Sequence, residues 1–227
     1  MRRLDLTSPF PAENLAVFAA AHISTLYRER QTSCAAVSRT ISSLVTQRQG
    51  HYLLFFPSYD YLAMIHRRFS DDCPQIKTLV QTPEMAEGER DAFLAWFTEQ
   101  VSQTRVGFAV MGGIFGEGID LKGERLTGVV IVGVGLPGIG PERELLREYY
   151  QQAHGCGFEF AYQYPGINRV LQAAGRLIRS ETDRGVVLLI DRRYAQQRYR
   201  SLLPVSWRIQ PLENEAAFQR RIATFWA

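Results

Sequence analysis

The sequence predicts an α/β fold: a doubly wound, mostly parallel sheet with helices on both faces. Three observations carry this. Five β-rich apolar runs punctuate the chain, helix-compatible stretches alternate with them, and the runs are apolar nearly throughout rather than at every second position. A strand buried on both faces shows no polar alternation, and strands that alternate with helices pair in parallel. At 227 residues the chain is long enough to bury the core such a sheet needs.

Taken in order, Ser8-Pro9-Phe10-Pro11 reads as an extended lead-in, and residues 13–29 and 34–47 are both helix-compatible. Residues up to about 50 therefore read as a helical lead-in. The apolar runs follow at 52–57 (YLLFFP), 77–82 (KTLVQT), 105–111 (RVGFAVM), 127–134 (TGVVIVGV) and 185–191 (GVVLLID). Between them, residues 59–69, 86–100, 141–153 and 168–179 read as helices; Ala92, Phe93, Ala95, Trp96 and Phe97 place an apolar face at helical spacing. A short helix after Asp191, a break at Leu203-Pro204 and an amphipathic helix near 213–225 complete the chain. Nothing reads as a linker, so a single domain is expected: the lead-in, a core of about 51–200, and a final helix of about 211–227.

Composition excludes several classes. No apolar run approaches the roughly 18 residues a membrane span requires, and no apolar segment backs the charged start Met1-Arg2-Arg3 as a signal peptide would demand. Cys34, Cys73 and Cys156 lie far apart with no CxxC pair, which argues against a disulfide framework or structural zinc and suits a cytoplasmic setting. The four histidines show no metal spacing either. Charge is informative by position. Residues 168–200 hold eight arginines against Glu181, Asp183 and Asp191, an excess of 8 − 3 = +5; with a net charge of +3, the remainder carries −2. One basic segment on a slightly acidic body points to phosphate.

In parallel sheets ligands gather beyond the carboxyl ends of the strands, so the residues that follow each run carry the chemistry. Ser58 can cap a helix, or with the free N–H groups there hold a phosphate. Gly112-Gly113-Ile114-Phe115-Gly116-Glu117-Gly118-Ile119-Asp120 sets four glycines beside two carboxylates that can bind ribose hydroxyls or orient an arginine. Gly133-Val134-Gly135-Leu136-Pro137-Gly138 is formally GxGxxG, but Pro137 removes an N–H and no acid ends a strand about 20 residues on, so it does not make a dinucleotide site. The stretch QAAGRLIRSETDRGVVLLIDRR, residues 172–193, is the most pointed. On a helix, Gln172, Arg176 and Arg179 share one face, and two guanidiniums suit a polyphosphate; a solvated basic face is the plain alternative.

That stretch resembles motif VI and the next strand of superfamily two helicases of the XPD/DinG type. Phe115 to Asp120 resembles their motif V, Phe55-Phe56-Pro57-Ser58-Tyr59 their motif IV, and Ser8-Pro9-Phe10 the start of their second helicase domain. The motifs keep their order along nearly the whole chain; Gly138-Ile139-Gly140 departs from the family's usual Phe and Pro. The resemblance implies a RecA-like second helicase domain that works with ATP and Mg2+. Arg176 and Arg179 would be arginine fingers, and Gln172 would orient phosphate or water. Glu117, Gly118 and Asp120 would couple nucleotide to DNA. Ser58, Tyr59, Gln81 and Gly112 would grip the backbone of single-stranded DNA. The sequence holds no GxxxxGK[ST] loop, no Asp-Glu-Ala-His box and no four-cysteine set. By resemblance these, and any iron–sulfur cluster, belong to the first helicase domain, which would be this chain's partner. Two other readings stay open: a stand-alone single-strand-binding module, and a non-helicase nucleotide-dependent α/β enzyme.

Overall fold

A computed structural model describes residues 10–97, 101–113, 115, 126–178 and 180–227. Among the described residues, seven strands form one sheet: β1 (Leu15–Ala19), β2 (His51–Phe56), β3 (Lys77–Val80), β4 (Arg105–Val110), β5 (Gly128–Val132), β6 (Gly185–Ile190) and β7 (Gln210–Pro211). Their spatial order is β3-β4-β2-β5-β6-β1-β7, and every pairing is parallel. The five apolar runs are β2 to β6. In the centre, β2, β5 and β6 are buried at every position, which is why they show no polar alternation.

The helices are α1 (Arg30–Val45), α2 (Tyr59–Asp72), α3 (Glu87–Ala95), α4 (Pro141–His154), α5 (Tyr164–Ala174), the single turn α6 (Gln197–Arg200) and α7 (Glu215–Trp226). Local chemistry sets several ends. Ser58 caps α2, its hydroxyl accepting from the Tyr61 N–H at 3.4 Å, and Asn214 caps α7 the same way through Ala217. Pro141 opens α4, and Gly155 closes it in the left-handed region at φ 69°. A five-residue π-helical turn (Glu159–Gln163) leads into α5.

Side chains alternate across the sheet into two cores. On one face Phe18, Leu54, Phe56 and Leu188 pack against α1, α2 and α7 through Val37, Ile41, Ile65, Phe69 and Ile222. On the other, Val17, Leu53, Phe55 and Leu189 meet Phe93 of α3 and Phe97 just after it, with Val170 and Ala173 of α5.

The helical reading of residues 13–29 is corrected. Leu15-Ala16-Val17-Phe18-Ala19 is a strand, in register from Leu15 opposite Gly185 to Ala19 opposite Leu189. Leu15, Ala16 and Ala19 are good helix formers, but the run is too short for an amphipathic helix, and β6 on one side with β7 on the other supplies its backbone partners. The brief β7, paired to Phe18 and Ala19, was likewise not expected from sequence.

Candidate nucleotide and nucleic-acid site

Because all strands run the same way, the segments after β1 to β6 meet along one edge. Ser58 stands there as a helix cap, and its hydroxyl also accepts from Arg30 Nη1 at 3.3 Å. The Arg30 guanidinium lies 4.6 Å from the Tyr61 ring and 5.3 Å from that of Tyr27, half-buried, with burial drawing its pKa below the ordinary arginine value. It remains a cation, oriented by two rings and a hydroxyl. Next along the edge, Tyr59 and Gln81 are bonded to each other: Gln81 Nε2 donates to the Tyr59 hydroxyl at 3.0 Å, and Gln81 Oε1 accepts from the Val110 N–H at 2.8 Å. Gln81 is buried, so it acts as the brace that holds Tyr59 over the end of β4.

Gly112 completes this edge at φ 71°, and a Cβ built there would come within 2.6 Å of Arg169 Nε. Arg169, on α5, also donates to the Gly135 carbonyl at 3.4 Å. The edge thus brings together Ser58, Tyr59, Gln81 and Gly112, and adds Arg30 and Arg169, which sequence reasoning did not single out. Arg169 lies inside the basic segment and was countable there; Arg30, outside that segment at the start of a helix, carried no signal.

The GxGxxG stretch has a structural explanation. Gly133 and Gly135 follow β5 at φ 91° and 68°. The Gly133 N–H donates to the Ile190 carbonyl at 2.9 Å, and its own carbonyl accepts from the Tyr194 hydroxyl at 2.8 Å. A Cβ on Gly135 would stand 2.4 Å from the Gly166 carbonyl oxygen, and one on Gly166 would stand 2.7 Å from that of Val134. These glycines let the β5 exit touch α5 backbone to backbone. Gly135→Ala, strained at φ and blocked by backbone, is expected to destabilise the fold by about 3 kcal/mol or more, read by urea denaturation. A loss under about 1 kcal/mol would show that the loop can move aside.

The arginine turn lies elsewhere. Helix α5 ends at Ala174, not near Arg179 or Ser180, so Arg176 does not continue the helical face that carries Gln172. After Gly175 the chain turns inward, burying Leu177 directly against the Cα of Gly185. That contact outweighs another helical turn. Helix α5 starts at the carboxyl edge beside Gly135 and ends beside the first residue of β6, antiparallel to the strands. Gln172 is therefore in its last turn, and Arg176 lies at the amino-terminal edge of the sheet. Arg176 thus does not stand among the segments at the carboxyl ends, where the sequence reading looked for ligands. A Ser180–Asp183 turn closes the segment, with the Ser180 N–H on Asp183 Oδ2 at 2.9 Å and the Asp183 N–H on Ser180 Oγ at 3.2 Å. Arg179, Glu117, Gly118 and Asp120 lie outside the described residues. Among the described residues, no group of three or more His, Cys, Asp or Glu side chains converges as a metal would require, and no helix is long and apolar enough to cross a membrane.

The helicase C-terminal domain family matches residues 41–210. A probable ATP-dependent helicase of Methanocaldococcus jannaschii is 26% identical over 85% of this chain and 31% of its own length. The ATP-dependent helicase DinG of Mycobacterium tuberculosis is 28% identical over 98% of this chain and 33% of its own. The chain thus spans about a third of the length of these curated relatives. A solved XPD helicase superposes with a TM-score of 0.71 at 20% identity, over 87% of this chain and 35% of that one, which establishes the RecA-like fold. The chain belongs to the helicase C-terminal domain family, and within it to the XPD/DinG type.

Proposed function

We propose that this chain is the second half of an ATP-dependent DNA helicase, completed by a P-loop domain that holds most of the ATP and its Mg2+. The observation that carries this reading is the course of α5. The helix crosses the sheet with Arg169 toward the carboxyl edge and Gln172 in its last turn, just before Arg176. One rigid element thereby connects an edge lined by Arg30, Ser58, Tyr59, Gln81 and Gly112 with the turn that bears Arg176.

On this reading Arg176 and Arg179 stabilise charge that builds on the transferred phosphate, and Gln172 orients phosphate or attacking water. Glu117, Gly118 and Asp120 couple nucleotide state to DNA. The carboxyl edge grips single-stranded DNA by its backbone, blind to sequence. An iron–sulfur cluster, where the whole protein carries one, belongs to the other domain. DNA repair is the fitting context and the cytoplasm the fitting place.

The first test uses the purified chain. It is expected to hydrolyse no ATP above background, because it carries half of a phosphate site; contaminant-free turnover at about 1 s⁻¹ or faster would sink the half-site reading. Fluorescence anisotropy with a labelled single strand tests the other edge. Arg30→Ala and Arg169→Ala are each expected to weaken binding and to lower the salt slope by about one. Equal affinity and slope in both variants would remove DNA from this edge. Firm single-strand binding with no catalytic contribution when a P-loop domain is supplied would favour the stand-alone binding module.

A further inference from the structure

Beside the arginine turn lies a cleft of about 650 Å³ to which nothing above assigns a role. Phe10, Leu15, Gly175, Ile178, Trp207 and Arg208 line it. The volume falls within the range of small-ligand sites, roughly 300–1,000 Å³, and the walls have the usual character of such sites, mostly apolar with a few polar groups. Those polar groups are the Ser206 hydroxyl and the Arg208 guanidinium. Leu15, Ile178 and Trp207 pack against the core only in part, so their outer faces remain open to an occupant.

Two further features single out this cleft. Gly175 and Ile178 both border it, one on each side of Arg176 and Leu177 in the chain. Leu177 is anchored in the core against Gly185, so the cleft and Arg176 sit on one short, pinned segment. The opposite wall ends at Arg208, whose φ of 43° makes it the one non-glycine residue in the left-handed region among the described residues. That conformation costs about 1 kcal/mol or more for a side chain without a local hydrogen bond, and such residues cluster where a ligand is held. Here it closes the turn Val205–Trp207, and Trp207 and Arg208, neighbours in the chain, both line the cleft.

A mostly apolar cleft lined by Trp207, Arg208 and Ser206, bordered by a segment that carries another guanidinium, suits a heterocycle with an anionic tail. We infer that this cleft takes the purine ring of the nucleotide, stacked on Trp207 and Arg208, while the phosphates extend toward Arg176. The inference deepens the nucleotide-binding reading proposed above and rests on it. It assigns to this domain a share of base recognition in addition to its contact with phosphate.

The test separates base from phosphate in the chain as it stands, by titrating adenosine and inorganic tripolyphosphate separately and following amide and indole resonances. Adenosine at up to about 10 mM is expected to shift the Trp207 indole and the Ile178 amide and to leave the indoles of Trp96 and Trp226 unmoved. Tripolyphosphate is expected to shift the Arg176 amide and spare Trp207. Trp207→Ala should weaken adenosine by at least about tenfold and leave tripolyphosphate unchanged, since stacking on an aromatic ring carries that much of a base's affinity. Trp207→Phe should retain most of it. Ile178→Phe, which fills the slot from the opposite wall, should give the same loss and decides the matter if Trp207→Ala does not fold. Absence of the adenosine shifts, or their persistence in Ile178→Phe, overturns the purine slot. Failure of tripolyphosphate to reach Arg176 would instead overturn the nucleotide reading beneath it.

Discussion

Alanine in place of Arg179 or Arg176, in a protein that also supplies the P-loop domain, is expected to lower kcat by about 10³-fold or more while KM for ATP moves far less. The asymmetry follows from when the contact forms. A guanidinium aimed at the transferred phosphate gains most as charge accumulates on the equatorial oxygens, and less in the ground state. Lysine at either position should recover only part of the rate, because an ammonium keeps the charge and loses the planar fork that fits two phosphate oxygens. Steady-state kinetics on the two alanine variants decides the point. Unchanged turnover in both would reduce the turn to a solvated basic segment, and a rise in KM alone would make these residues simple anchors of the ground state.

The largest expected effect on stability comes from the end of β6. Asp191 is fully buried, and Arg193 grips it with two bonds of 2.8 Å, Nε to Oδ1 and Nη2 to Oδ2. Thr25 also donates its hydroxyl to Oδ2, and the Arg193 N–H donates to Oδ1 at 2.7 Å, which caps the short turn that follows. Removing Arg193 strands the carboxylate, because the hydroxyl and amide that remain do not neutralise it. Arg193→Ala is expected to cost about 3–5 kcal/mol. At roughly 2–4 °C per kcal/mol for a chain of this size, the melting temperature should fall by about 6–20 °C. Thermal denaturation followed by circular dichroism measures it. The double variant Asp191→Ala/Arg193→Ala should be less destabilised than Arg193→Ala alone, since no buried charge is left over; a double variant at least as destabilised as Arg193→Ala would contradict this.

Much of the sheet was legible because burial on both faces forces an unusual composition. Val129 to Val132 and Val186 to Ile190 have no solvent side on which to place a polar residue, so their apolar runs identify them as central strands directly. Ser58 ahead of α2 and Pro141 at the start of α4 act within one turn of the backbone they satisfy, and such signals survive in one dimension. Ser58, Tyr59, Gln81 and Gly112 could be named as candidates from sequence because each lies at the end of such a run or just after it. Arg30 reaches the same edge from a helix start far away in sequence, and no local pattern distinguishes it from other arginines.

By itself, the sequence determined the fold class, the positions of the five principal strands along the chain, and the family. The tertiary structure decided what depends on contacts between distant residues. Leu15 to Ala19 is a strand because the edge of β6, some 170 residues later, meets its hydrogen bonds. Helix α5 stops at Ala174 because Leu177 gains more against Gly185 than another turn would offer. The glycines after β5 are required by a helix that touches their backbone. The separation of the two candidate edges has the same origin. A crossover helix in a parallel sheet must run back from the carboxyl ends to the amino ends, so the arginine turn that follows α5 lies across the sheet from the residues that line the strand ends.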